Sequence, residues 1–305
     1  MNVLVTGGAG FIGSHLVTAL AAKKFRVGVV DDLSTGKKEK INKEAEFYHG
    51  DVKDREFLQT VIAKEQPDLI YHLAAQVSVQ ESVKDPAGDA QTNILGTLNL
   101  LDLAAQYKVR KIVFASSAAI YGIPQYLPVD EGHPALGLSG YAVSKYAVEH
   151  YLAVYKYLYG LDYSVLRFAN VYGPGQSAGT EGGVVAIFMQ HILEGKAPTI
   201  FGDGEQTRDF IFVRDVVGAN LAVMDRGSGK VINVSTGLPT SVNAVYKLLQ
   251  EITGSNIPAV YSPDRPGDIR HSVLDNTLAR AELAWQAEAR LEEGLEQTFK
   301  HWNMA

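Results

Sequence analysis

The sequence predicts an α/β protein, a doubly wound parallel sheet followed by a smaller C-terminal α/β lobe. Three observations lead there. Short β-branched runs alternate with longer helical patterns through the first half. A glycine-rich turn, TGGAGFIG (6–13), joins the first run to the first helical pattern. The rhythm then changes after about residue 172, where YGPGQSAGTEGG (172–183) reads as a loop. Apolar strand runs separated by helices indicate a parallel sheet covered on both faces, with right-handed crossovers.

In order, NVLVT (2–6) is a strand, a helix starts near Phe11, and RVGVVD (26–31) is the second strand. DLIYHLAA (68–75) is the next apolar run, followed by the helical NILGTLNLLDLAAQY and the strand KIVFASSA (111–118). GYAVSKYAVEHYL (140–152) has helical spacing, and DYSVLRFANV (162–171) follows as a strand. Past the loop, helical patterns at 184–195 and 241–253 flank the short strand KVINVST (230–236). RPGD (265–268) is a turn and LEEGLEQTFKHWN (291–303) a terminal helix.

Composition bounds the function. The 305 residues are 46% hydrophobic and 20% charged, enough apolar material for a large core. Net charge is −6 and no basic block appears, which disfavours nucleic acid or an anionic membrane as partner. The absence of cysteine excludes disulfides and thiolate metal sites, and fits a reducing cytoplasm. The N-terminus shows neither a basic leader nor a cleavage site. The uncharged run 112–129 is interrupted by Ser116, Ser117, Gly122, Pro124 and Pro128, a poor membrane span. A cytoplasmic protein acting on a small molecule, without a metal, is expected.

Glycines 7, 10 and 13 lie between a strand and a helix. That context suits a dinucleotide: a tight turn, close approach of a pyrophosphate to backbone, and helix amides facing the phosphates. The second strand ends in Asp31-Asp32. An acid there accepts hydrogen bonds from ribose hydroxyls and repels a 2′-phosphate, favouring NAD over NADP. Residues 1–171 therefore read as a Rossmann-type NAD-binding domain, with about 205–235 packing back onto it, and 172–305 as mainly a substrate lobe.

TGGAGFIG, Asp31, HLAA (72–75), SSAAIYG (116–122), YAVSK (141–145), RFANVYGPG (167–175) and RPGD run in one order over nearly the whole chain. In this the sequence resembles the extended short-chain dehydrogenase/reductases, and within them the UDP-sugar 4-epimerases. The resemblance implies that NAD is held by Gly7, Gly10, Phe11, Ile12 and Gly13. It adds the stretch Asp31, Asp32, Leu33, Ser34, Thr35 and Gly36, then Asp51 and Val52. Leu73, Ala74, Ala75 and Gln76 follow HLAA's strand, and Thr92 and Ala169 complete the set. Some relatives carry a lysine where this chain has Gln76 and Val77, so contacts there would be made by backbone.

The resemblance also gives Ser117, Tyr141 and Lys145 a catalytic role. A free phenol is a poor base at neutral pH and burial makes it poorer. Lowering its pKa by ~3 units takes about 4 kcal/mol, within reach of an ammonium and a positive nicotinamide ring in a partly dry cleft. Tyr141 would take the proton of the sugar 4-hydroxyl, Lys145 would hold the nicotinamide ribose, and Ser117 would hydrogen-bond the same sugar oxygen.

Ala118 and Ala119 stand where related dehydratases and decarboxylases carry acids. Without an acid to expel a hydroxyl, the remaining chemistry is oxidation at C4, rotation of the keto sugar and hydride return. For the nucleotide the resemblance suggests Asn170, Thr199 and Phe201 near uracil, Arg208 and Arg265 at the diphosphate, and Asp268 at ribose. An ion pair of Arg208 with Asp209 is the alternative reading of that arginine. Ser272 falls where some epimerases place a bulky tyrosine, so N-acetylated UDP-sugars are expected substrates as well. UDP-glucuronate 4-epimerisation, an ordinary reductase and a catalytically silent NAD-binding regulator are the competing readings. The resemblance implies a homodimer formed through helices around 88–107 and 141–159.

Overall fold

A computed structural model describes residues 1–179, 182–265 and 267–304. Thr180 and Glu181 of the 172–183 loop and Pro266 of RPGD lie outside the described residues. Strands β1 (Asn2–Thr6), β2 (Arg26–Asp31), β3 (Glu46–His49), β4 (Leu69–His72), β5 (Lys111–Ser117) and β6 (Asp162–Phe168) fill the first half. They are followed by β7 (Asn170–Tyr172), β8 (Thr199–Phe201), β9 (Thr207–Phe212), β10 (Lys230–Val234), β11 (Pro239–Ser241) and β12 (Val260–Ser262).

The main sheet has seven strands in the order β10-β6-β5-β4-β1-β2-β3. Every neighbouring pair is parallel. Winding reverses between β1 and β4, so the crevice for a ligand opens there, beyond the C-terminal ends of the strands. The alternation of side chains along β1 feeds both faces. Val3 and Val5 join one core with Leu16, Val17 and Leu20 of the helix Phe11–Ala22. Leu4 joins the other, with Leu58 and Ile62 of the helix Arg55–Glu65 and Leu100 of the helix Gly96–Gln106.

The helix Gly140–Tyr159 begins at the Ser139 side chain, which accepts from Ala142 N at 3.2 Å, and ends at Gly160 in the left-handed region. Its Val148 and Leu152 pack on the sheet. The smaller lobe has a three-stranded sheet, β11-β9-β7, and a parallel pair, β12-β8. Helices Val184–Leu193, Val242–Thr253 and Leu291–Met304 surround its core of Tyr172, Phe188, Phe210, Phe212 and Leu295.

Several boundaries differ from the sequence reading. The run DLIYHLAA stops pairing at His72, so Leu73–Ala75 form a loop at the crevice. DYSVLRFANV breaks at Ala169, whose amide donates to Val234 O at 3.1 Å. Beyond the break, β7 leaves the main sheet to pair with β9. The segment β3 and the helix Arg55–Glu65 have no strong apolar period and escape a sequence reading. Residues 91–95 form a π-helical turn ahead of the helix Gly96–Gln106. Strand β10 and the helix Val213–Ala222 belong to the main sheet and its flanking layer. No helix among the described residues is long and apolar enough to cross a membrane.

Candidate active site

The crevice floor is built from backbone. Gly7 has φ +72 and its amide donates to Val30 O at 2.8 Å. A Cβ there would lie 2.5 Å from Ala74 N, so the first turn and the loop after β4 meet main chain to main chain. At Gly13 a Cβ would lie 2.1 Å from Gly7 O, so the helix packs directly on the turn. That helix starts at Gly10 without a side-chain cap and without an acid in its first turn. Its leading amides, at Phe11 and Ile12 onward, are thus free for an anion.

Asp31 closes one end of the floor. Its Oδ2 accepts from Ala9 N and its Oδ1 from Leu33 N, each at 2.9 Å. Burial raises its pKa and the two amides oppose the rise. The loop through Asp32, Leu33, Ser34, Thr35 and Gly36 folds over this carboxylate, with Asp32 Oδ1 accepting from Ser34 N at 2.9 Å and Oγ at 2.6 Å. Gly36 is so close that a Cβ would lie 2.8 Å from Asp31 Oδ1. Asp51, ion-paired to Lys53 at 3.2 Å, and buried Val52 form the neighbouring wall. This cradle fits NAD: amides without partners for the pyrophosphate, and a fixed carboxylate with lone pairs left for ribose hydroxyls.

A buried hydrogen-bond chain sets the loop after β4. Thr97 Oγ1 donates to Asn93 O at 2.6 Å and accepts from His72 Nε2 at 2.8 Å. Thr6 Oγ1 donates to His72 Nδ1 at 2.7 Å and accepts from Ala74 N at 3.3 Å. Only this direction satisfies every member, which assigns the Nε2–H tautomer. Burial drives the His72 pKa down to about 3, with the Lys145 charge adding to the effect, so the ring is neutral.

Ser117 ends β5, and its Oγ accepts from Ala119 N at 3.2 Å, leaving its proton to donate into the crevice. Tyr141, in the first turn of its helix, brings its phenol near enough to that hydroxyl for Ser117 to favour the phenolate. Lys145 Nζ donates to Ala115 O at 2.9 Å and sits 5.8 Å from the Tyr141 ring centre. Lys145 is buried, whereas Ser117 and Tyr141 remain half-buried. Burial pushes the Tyr141 phenol up, the Ser117 contact opposes this, and the Asp89 carboxyl adds to it. The sequence reading has the ammonium and the nicotinamide ring together lowering Tyr141; among the protein's own groups burial is the largest influence. Burial also pulls Lys145 down to about 8, against the acids Asp89 and Glu149.

Behind the triad, Glu149 takes a two-pronged ion pair from Arg167, at 3.0 and 2.5 Å, and a hydrogen bond from Ser116 Oγ at 2.6 Å. Arg167 also donates to Tyr121 OH at 2.8 Å. The pair joins β5, β6 and the Tyr141 helix at one point. The sequence reading gave this pair no role, quoted His72 and Arg167 only within HLAA and RFANVYGPG, and missed Asp89 and Asn93. Only Glu149 carried a local signal, one turn after Lys145 on the same face.

On the lobe side, Asn170 is exposed at the start of β7, near half-buried Ala169. Thr199 and Phe201 are the two ends of β8, and the Arg265 guanidinium lies 3.7 Å above the Phe201 ring. Arg208 Nη1 donates to Thr207 O at 2.9 Å; burial lowers its pKa and Asp268 opposes that. Asp209 is engaged elsewhere, by Thr236 N at 2.9 Å, Thr236 Oγ1 at 2.7 Å and Gly237 N at 2.9 Å. The alternative of an Arg208–Asp209 ion pair therefore falls. Ser272 N donates to Thr207 O at 3.1 Å, while the next residue's carbonyl accepts from Val129 N at 2.8 Å. Ser272 thus bridges the Arg208 strand and the loop that follows Ser117. Thr92, half-buried in the π turn, faces none of these lobe residues in sequence but adjoins Asn93.

Comparison with known proteins gives a consistent answer. Residues 3–235 match the NAD dependent epimerase/dehydratase family. A UDP-glucose 4-epimerase of Mycolicibacterium smegmatis is 44% identical over 305 residues, covering 98% of this chain and 97% of the relative. The crystal structure of a Thermotoga maritima UDP-glucose 4-epimerase with UDP-glucose superposes with a TM-score of 0.98 at 47% identity, over 100% of this chain and 99% of that one. A Methanobrevibacter ruminantium UDP-N-acetylglucosamine 4-epimerase, in complex with UDP-N-acetylmuramic acid, gives 0.95 at 36% identity, over 99% and 98%. The glycine cradle, the acid at the end of β2 and the Ser–Tyr–Lys set agree with that match: the chain belongs to the NAD dependent epimerase/dehydratase family.

Proposed function

We propose that the protein is an NAD-dependent UDP-sugar 4-epimerase that interconverts UDP-glucose with UDP-galactose, and UDP-GlcNAc with UDP-GalNAc. The observation that carries the reading is the meeting of Ser117 and Tyr141 over buried Lys145, at the mouth of the cradle, with Ala118 and Ala119 in place of acids. NAD, when bound, supplies the acceptor and then the donor of the C4 hydride. Tyr141 takes the proton from the C4 oxygen and later returns it. Ser117 donates a hydrogen bond to that oxygen in both its hydroxyl and carbonyl forms. Lys145, fixed by Ala115 O, contributes positive charge beside the reacting centre. Nothing at 118–119 can protonate a leaving hydroxyl, which favours epimerisation over dehydration.

Inversion requires a nucleotide held firmly and a sugar held loosely. Arg208 and Arg265 suit the diphosphate, since guanidinium forks match phosphate oxygens. Thr199, Phe201 and Asn170 suit the uridine end, with Asp268 at the ribose, and Ser272 leaves room for an acetamido group. An exposed apolar stripe on the helix Gly140–Tyr159, of Val143, Tyr151, Val154 and Leu158, supports a homodimer, and the lack of cysteine supports a cytoplasmic setting. The first test is to incubate the purified protein, without added cofactor, with UDP-glucose and separately with UDP-GlcNAc. The anomeric proton signals are followed by NMR. Conversion of both to their C4 epimers is expected; conversion of neither, even with NAD added, would overturn the reading.

A further inference from the structure

Asp89 is a buried acid for which the mechanism above has no use. It is 2% exposed, sits in the short helix Pro86–Ala90 and is held on one oxygen only. Its Oδ1 accepts from Gln76 Nε2 and from Asn93 Nδ2, each at 3.0 Å. Its Oδ2 is buried without a hydrogen-bond partner among the described residues. A buried carboxyl oxygen left unpaired costs stability, and native proteins rarely tolerate one without a compensating role.

The surroundings suggest the role. Asn93 Nδ2 also reaches Gln76 O at 2.9 Å and Ser144 Oγ at 3.1 Å, and Gln76 N donates to Asn93 Oδ1 at 2.8 Å. Ser144 lies between Tyr141 and Lys145 and donates to Tyr141 O at 3.0 Å. One polar knot therefore joins Asp89 to the loop after β4 and to the first turn of the helix that carries both proton-handling residues. Asn93 enters the knot from the π turn Gln91–Leu95, a geometry often found at functional sites.

We infer that Asp89 is a positioning residue that sets the proton affinities of Tyr141 and Lys145 through its buried negative charge, and so fixes the pH range of the proposed 4-epimerisation. This rests on the epimerase reading of the same site. The directions agree: Asp89 holds Tyr141 up and Lys145 up, against the burial that lowers the lysine. The other groups facing the pair are Ser117, His72 and Glu149, and Arg167 neutralises Glu149 at 2.5 Å. His72 is neutral, so Asp89 is the facing acid without a cationic partner of its own among the described residues.

The sign follows. Activity needs Tyr141 able to lose a proton and Lys145 still charged, so the two groups together set the acidic and the alkaline limb of the pH profile. Removing a nearby negative charge favours the phenolate and disfavours the ammonium. Both limbs should therefore move to lower pH in Asp89→Asn, which keeps shape and loses charge. A displacement of roughly half a pH unit or more is expected for one charge in a partly dry site. Asp89→Glu, which keeps charge and disturbs shape, should leave both limbs in place whatever its rate.

The experiment measures UDP-glucose epimerisation against pH by NMR for the wild type and both variants. Ultraviolet titration of tyrosinate, with Tyr141→Phe as reference, reports the phenol independently of turnover. Unmoved limbs in Asp89→Asn, limbs displaced equally by Asp89→Glu, or failure of Asp89→Asn to fold would each overturn the inference and assign Asp89 to packing. An inactive wild type would instead overturn the epimerase reading, and the tyrosinate titration would still decide the influence of Asp89 on Tyr141.

Discussion

Tyr141 has a phenol whose pKa is raised by burial, beside an ammonium that burial has pulled down to about 8. On the proposed mechanism, the positive charge that NAD brings would favour the phenolate against this burial. At the same scale, Ser272 is half-buried and pinned by its own amide to Thr207 O at 3.1 Å. On the proposed reading, a phenol in its place would fill the space that admits an acetamido group. Ser272→Tyr is expected to retain epimerisation of UDP-glucose and to lose that of UDP-GlcNAc by roughly tenfold or more, compared as kcat/KM. Equal losses on both substrates would remove Ser272 as the gate. The motif residues were readable because they fall in short patterned runs such as TGGAGFIG and YAVSK. Asp89 and Asn93 were not, because their partners Gln76 and Ser144 lie 13 to 51 residues away.

Among the elements, the turn between β1 and its helix is the least forgiving. Main chain of Gly7 and Gly8 would meet a Cβ at Gly13 at 2.1 and 2.8 Å, and backbone cannot step aside as a side chain can. Gly13→Ala should cost about 1–3 kcal/mol in urea unfolding and should weaken retention of NAD on gel filtration. Undiminished stability together with full cofactor retention would contradict this account. The alternation of strands and helices was legible because short continuous apolar runs alternate with longer helical patterns in the sequence. The break of β6 from β7 was not, because it follows from an amide of Ala169 turning to Val234, sixty-five residues on. Likewise β3, EFYH, is no more buried than many loops and gives no strand signal.

For the whole molecule, the helix Gly140–Tyr159 has two apolar sides. Val148 and Leu152 serve the core, while Val143 (56%), Val154 (46%) and Leu158 (58%) face outward. The spacing 143, 147, 151, 154, 158 follows one helical stripe, which a twofold partner could match with its own copy. Val154→Glu would bury like charges at such an axis, so on the proposed homodimer light scattering should report a dimer for the wild type and a monomer for the variant. An unchanged mass would move the interface elsewhere. Tyr141 and Lys145, to which the proposal gives the proton transfer, occupy the other end of this same helix, so loss of the proposed dimer should lower turnover as well as mass.

The loops on the main-sheet side of the crevice leave the same edge of the seven-stranded sheet, after Thr6, Asp31, His72, Ser117 and Phe168. At the opposite edge the sheet does other work: Lys111 is buried there, its ammonium held by Val223 O at 2.7 Å and by Arg226 O. Changes at the first edge can alter which sugar is accepted while leaving the pairing of strands intact, and changes at the second alter endurance while leaving selectivity intact. Such a scaffold can drift toward new substrates in small steps, because selection on chemistry and selection on folding act on different residues.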